Sequence, residues 1–147
     1  MTRAALSIAA ADLRRIEGEA RRALPREACG LLLGTEAPDG TLDVTSVVPA
    51  DNIAAEPDRF EIDPALLLRL HRTLRDGPAR IIGPYHSHPG GPARPSAADH
   101  AASYTPGLVW LILAVGAGRI RSAAFRHPPD EPAPPRQLIA LPLLIRS

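Results

Sequence analysis

Ile81-Ile82-Gly83-Pro84-Tyr85-His86-Ser87-His88-Pro89, then six residues dominated by Gly and Pro, then Ser96-Ala97-Ala98-Asp99, is the stretch that decides the reading of this chain. The run from Ile81 to His86 predicts a strand. Residues two apart in a strand point to the same face, about 6.6 Å apart along the chain. His86 and His88 therefore look into one space at the strand's end. The loop from Pro89 to Pro95 is stiff, and Ser96 opens a short Ala-rich helix that can fold back and bring Asp99 to the imidazoles. Neutral imidazoles suit zinc, and one carboxylate completes a three-ligand set with a fourth position open for water. An open position separates a catalytic zinc site from a structural one.

Upstream of this stretch, Leu13, Ile16, Ala20 and Leu24 recur at helical spacing, which predicts a helix from about Ala10 to Leu24, stopped by Pro25. The Ala-rich residues after Arg3 are too short and too soon interrupted by Ser7 and Asp12 for a secretory signal, and read as the lead-in to that helix. Cys29 to Gly34 is a short apolar run bounded by Gly30 and Gly34, a buried strand. Thr41 to Val48 is a second strand, joined to it through Pro38-Asp39-Gly40. Asn52 to Glu61 is polar and reads as a loop. Asp63 and Pro64 form an N-cap and first helical residue for a helix carrying Leu66, Leu67, Leu70 and Leu74, which ends at Gly77-Pro78.

Downstream, Leu108 to Val115 and Ile120 to Phe125 predict a hairpin through Gly116-Ala117-Gly118-Arg119. A Pro-rich bend from Pro128 to Pro135 leads to one last strand, Leu138 to Leu144. The order of elements predicts an α/β fold, a mixed sheet flanked by helices.

The length, 147 residues, suits one domain across the whole chain, 1–147, with a real core. A net charge of +1 and 3% aromatic residues offer neither a basic face nor stacking platforms, so no nucleic acid is expected as a partner. A single cysteine, Cys29, excludes an internal disulfide and a Cys-rich zinc finger, and fits a reducing, cytoplasmic setting. The longest apolar run, Leu108 to Val115, is too short to span a bilayer, so no membrane is expected. The oligomeric state is not fixed by the sequence.

A metal-bound water also needs a base to take its proton and return it to a leaving amine. Glu27, just before the Cys29–Gly34 strand, is the candidate, although spacing alone does not place it beside the metal. The pattern His-Ser-His-Pro, a spacer and Ser-x-x-Asp, with an upstream Glu before a Gly-flanked apolar strand, resembles the JAMM (MPN-plus) zinc metalloproteases. Glu27-Ala28-Cys29-Gly30-Leu31-Leu32-Leu33-Gly34 is similar to the corresponding strand of the small stand-alone bacterial members. Seven residues separate His88 from Ser96, as in the family pattern, and the resemblance runs from about Glu27 to Phe125.

That resemblance implies a JAB/MPN domain of cytidine-deaminase-like fold. It implies Zn2+ on His86, His88 and Asp99, Glu27 as general acid/base, and Ser96 as a donor to the oxyanion. It further implies hydrolysis of a peptide or isopeptide bond after the Gly-Gly tail of a ubiquitin-like or sulfur-carrier protein. Little sequence lies between Asp99 and Trp110, so the insertions that grip polyubiquitin in eukaryotic relatives are absent or reduced.

Other readings stand beside this one. Ser96-x-x-Asp99 is also a capping box, and a carboxylate engaged there is not easily free for a metal. Glu27 can be a solvated carboxylate at a strand start. Cys29 with His86 or His88 would make a Cys–His hydrolase. A non-catalytic scaffold of the same fold would bind a partner through its sheet edge, and RadC-like proteins, which share His-x-His-Pro and Pro-Ser-x-x-Asp, are linked to DNA. His71, His100 and His127 have no partner at ligand spacing and receive no role; Trp110 reads as core.

Overall fold

The computed structural model describes residues 4–147. Along the chain run β1 (Leu6–Ala9), α1 (Ala10–Ala23), β2 (Cys29–Glu36), β3 (Leu42–Ala50), α2 (Pro64–Leu74), β4 (Arg80–Pro89) and α3 (Ala97–Ala102). They are followed by β5 (Val109–Gly116), β6 (Arg119–Arg126), β7 (Ile139–Leu141) and β8 (Leu143–Arg146). The strands form one eight-stranded sheet in the order β7-β6-β5-β4-β2-β3-β1-β8. It is mixed: β4–β5, β1–β3 and β1–β8 are parallel, and the remaining neighbours are antiparallel. Among the described residues no helix is long and apolar enough to cross a membrane.

β4 occupies the middle of the sheet because both its neighbours are apolar along their whole buried length. β2 and β5 supply Leu31, Leu32, Leu111, Ile112 and Leu113, all buried. Two glycines permit the close approach. A Cβ on Gly30 would collide with the ring of Tyr85, and one on Gly83 with the Val109 carbonyl. α1 packs Leu13, Ile16 and Ala20 inward, and its Glu19 accepts a 2.6 Å hydrogen bond from the buried Tyr85 hydroxyl. Tyr85 and His86 alternate along β4, so α1 covers one face of the strand and leaves the histidine face to the site.

Two expectations fail at the chain ends. The residues before α1 are a strand, β1, rather than the lead-in to a helix; Arg3 itself lies outside the described residues. Four residues carry too little periodicity to declare themselves. β1 forms because it adds in parallel to β3 and β8, burying Leu6 and Ile8 completely. The expected single last strand is two, split at Pro142, which has no N–H for a ladder. β7 joins β6 at one end of the sheet and β8 joins β1 at the other. Only Pro142 separates them, and its carbonyl accepts from the Leu6 N–H at 2.9 Å. The sheet must therefore curl until its two edges meet at that residue.

Candidate metal centre

β4 delivers His86 and His88 at its C-terminal end, and the parallel crossover to β5 passes through α3, which returns Asp99 to the same place. The His86 and His88 rings lie at 70° to each other, with their Nε2 atoms 3.0 Å apart. Asp99 meets both: Oδ1 is 3.1 Å from His86 Nε2 and Oδ2 is 3.1 Å from His88 Nε2. Two imidazole nitrogens and a carboxylate thus converge in pairs about 3 Å apart. Tetrahedral zinc with bonds of about 2.0–2.1 Å spaces its ligands by roughly 3.3 Å, so donor types and spacing both fit that ion.

Outer partners aim the rings. His88 Nδ1 donates to the Pro92 carbonyl at 2.9 Å, which leaves the Nε2 lone pair facing inward. His86 Nδ1 is buried without a hydrogen-bond partner among the described residues. Its ring is held instead by aromatic packing: Phe60 stacks on it at 4.4 Å and Trp110 meets it edge-on at 5.8 Å.

The capping box and the approach of Asp99 to the imidazoles, rivals on sequence alone, coexist. Ser96 Oγ accepts from the Asp99 N–H at 3.1 Å, and the Ser96 N–H donates to Asp99 Oδ2 at 2.9 Å. A carboxylate offers about four lone-pair directions, so Oδ2 serves the cap and still faces His88 while Oδ1 faces His86. The cap therefore orients the carboxylate. Burial pushes Asp99 up, but the two imidazoles that face it and the Ser96 N–H outweigh it and hold Asp99 far below the usual carboxylate range.

Glu27 sits just ahead of β2 with its carboxyl within 4.8 Å of nitrogens of both histidines. It is 7% exposed. Burial lifts it from 4.5 to about 7, His88 opposing the rise and Asp99 adding to it. Asp99 is the nearer carboxylate to the two rings and stays ionised, whereas Glu27 exchanges its proton near neutrality. The two carboxylates are thus driven apart in proton affinity by their surroundings. Ser87, between the histidines, binds the next residue: its Oγ accepts from the Ala28 N–H at 2.8 Å and its N–H donates to the Ala28 carbonyl at 3.0 Å.

The Cys29 thiol gains nothing from this setting. Burial pushes it up to about 12, Glu27, Asp51 and Glu19 act in the same direction, and its Sγ contacts the Ala50 carbonyl at 3.7 Å. A protonated thiol of that kind is a poor nucleophile.

Ser96 and Asp99 line a cleft of about 670 Å³ together with Glu27, Phe60, Leu67 and Trp110. Exposed His71 borders the same cleft, and His100 Nδ1 contacts the Ser96 carbonyl at 2.9 Å. His127, which had no role on sequence grounds, is fully buried. Its Nε2–H donates to the Glu131 carbonyl at 2.9 Å, so Nδ1 accepts the Ser103 hydroxyl at 2.8 Å. Ser103 in turn accepts from Trp110 Nε1 at 3.3 Å, and Trp110 is thereby fixed against His86. Phe60 was missed for a plain reason: an aromatic residue in a polar, aperiodic loop gives no pattern, and its isolation there was the only signal.

A family model described as prokaryotic homologs of the JAB domain matches residues 9–126. The desampylase of Haloferax volcanii is 35% identical over 117 residues, covering 76% of this chain and 82% of that protein. The CysO-cysteine peptidase of Mycobacterium tuberculosis is 30% identical over 94 residues, 64% of this chain and 62% of the relative. Among solved structures, the solution structure of protein DSY2949 from Desulfitobacterium hafniense superposes with a TM-score of 0.81 at 29% identity, covering 97% of this chain and 93% of that one.

Proposed function

This chain belongs to the family of prokaryotic homologs of the JAB domain, and from that premise we propose that it is a zinc-dependent peptidase. Its substrates are conjugates of ubiquitin-like or sulfur-carrier proteins, cut at the amide bond after a Gly-Gly tail. The observation that carries this reading is one carboxylate, Asp99, lying 3.1 Å from each of two imidazoles, with the Glu27 carboxyl beside them. The names of the relatives, desampylase and CysO-cysteine peptidase, support the substrate class.

His86, His88 and Asp99 hold the ion in this reading. Bound zinc supplies a Lewis acid and lowers the pKa of its water to about 7. Glu27, the buried carboxyl beside the two imidazoles, takes a proton from the attacking water and returns one to the leaving amine. The Ser96 oxygen is occupied by the Asp99 N–H, which leaves its hydrogen free to donate to the oxyanion. The apolar wall formed by Phe60, Leu67 and Trp110 keeps bulk water from the scissile bond. Depth selects for a slim substrate: the His86 and His88 side chains are 0% and 11% exposed, and two glycines carry no side chains to obstruct the approach.

The test is hydrolysis of a fusion in which a ubiquitin-like protein ending in Gly-Gly is joined to a reporter, with the cut located by mass spectrometry. A single cut after Gly-Gly is expected, abolished by chelation and restored by zinc. Glu27→Gln lowers kcat by about 10²–10⁴-fold with zinc still bound. Full activity in the metal-free protein refutes the reading.

A further inference from the structure

One side chain outside the metal centre is tied to both groups that flank it. Asn52, two residues beyond β3, uses its whole hydrogen-bonding capacity. Its Nδ2 donates to the Glu27 carbonyl at 3.0 Å and to the Arg59 carbonyl at 2.8 Å, and its Oδ1 accepts from the Ala54 N–H at 3.0 Å and the Glu61 N–H at 3.1 Å. The Arg59 carbonyl and the Glu61 N–H belong to the two peptide units on either side of Phe60, so a single amide clamps the backbone before and after the ring that stacks on His86. The Glu27 carbonyl belongs to the peptide unit whose N–H, that of Ala28, is held by Ser87. Asn52 fixes one end of that unit and the strand of the histidines fixes the other.

We propose that Asn52 is a positioning residue, setting the Glu27 carboxyl and the Phe60 ring against the metal centre. The loop it closes has no regular secondary structure of its own. Its other ties are the Ile53 N–H to the Glu61 carbonyl at 3.0 Å, the Arg59 N–H to the Glu56 carbonyl at 3.4 Å and a bond from the Arg26 guanidinium to the Ala54 carbonyl. Without Asn52, the Phe60 segment loses both of its side-chain anchors, and His86, whose Nδ1 has no hydrogen-bond partner among the described residues, loses the stacking that orients it. No side chain of similar size does the same work. Aspartate keeps the two acceptors but turns a charge toward two carbonyls; alanine removes all four bonds.

The inference rests on the peptidase reading for its kinetic arm only. The experiment compares wild type, Asn52→Asp and Phe60→Leu as zinc-loaded proteins. Because outer-shell partners of metal sites are worth about 10–100-fold, Asn52→Asp is expected to lower kcat by that factor with KM nearly unchanged and zinc stoichiometry retained. In proton NMR the His86 ring resonances, shifted by Phe60 stacked above them, should move in Asn52→Asp most of the way to their positions in Phe60→Leu. A merely structural asparagine would lower the melting temperature and leave those resonances in place. An unchanged kcat or unmoved His86 resonances overturns the proposal. If Asn52→Asp does not fold, amide exchange in the wild-type protein decides: protection of the Ala54 and Glu61 N–H groups at the level of β2 and β3 upholds the clamp, and free-loop exchange rates sink it. A wild-type protein that hydrolyses nothing defeats the peptidase reading and leaves the NMR and exchange arms to judge Asn52.

Discussion

The burial of Glu27, the proton carrier proposed above, makes stability depend on pH. In chelated protein the unfolded chain releases this proton near 4.5 and the folded chain only near 7. Between those values the folded state binds more protons, so stability falls as pH rises through the window and the loss is complete above it. Glu27→Gln removes the group that must ionise. With EDTA present, the variant should match wild type at about pH 4 and exceed it at about pH 8 by on the order of 2 kcal/mol, since solvent in the cleft screens part of the full effect. Thermal melts at the two pH values check this, and a variant no more stable than wild type at the higher pH counts against it. A gain in stability paired with a loss of turnover is the sign expected if Glu27 carries the proton as proposed. Legibility at this scale followed spacing: His86, His88 and Asp99 lie within one short segment, whereas Glu27 and Asn52 reach the centre only through pairing of β2 with β4 and closure of a loop.

For elements, the contact between β2 and β4 is tight, because Gly30 faces the Tyr85 ring and Tyr85 is anchored to α1 through Glu19. An alanine at Gly30 has to displace that ring or part the strands that carry Glu27 and the histidines. Overpacking of this kind costs about 1–3 kcal/mol. Gly30→Ala should lower the urea midpoint accordingly, and Gly30→Ala combined with Tyr85→Leu should lose less than the sum of the two single changes. Strict additivity shows that the ring is not what the glycine accommodates. Strands β2 to β6 are readable because each is long and bounded by turn residues, Gly40 and Gly118 at positive φ among them, with β2 and β5 apolar through their buried length. β1 is not, and β7 and β8 are readable only as one strand, since strands of three or four residues owe their separate existence to partners far away in the chain. Pro142 carried the useful signal there: a residue without an N–H inside an apolar run is better read as a break than as part of one strand.

For the molecule as a whole, the centre draws on three separate stretches of chain, those of Glu27, Phe60 and the segment from His86 to Asp99, while the main core lies elsewhere. Leu6, Ile8, Leu32, Leu42, Val44 and Leu111 are buried without touching the question of a metal. Chelation should therefore leave a folded protein, unlike a zinc finger, whose fold depends on its ion. Binding to a preorganised site still adds stability by mass action, about 2.7 kcal/mol at a free zinc concentration of 100 Kd. For a chain near 150 residues each kcal/mol moves the melting temperature by about 2–4 °C, so zinc should raise it by roughly 5–10 °C. Asp99→Asn, which keeps the shape of the side chain but loses a charged ligand, should respond little to added zinc and melt below the chelated wild type, because the ionised carboxylate also stabilises the metal-free fold. Calorimetric scans with and without EDTA separate the possibilities. Equal melting temperatures for the chelated and zinc-loaded wild type leave the three side chains without an ion to share, and loss of the far-ultraviolet spectrum on chelation makes the metal a structural requirement of the whole sheet.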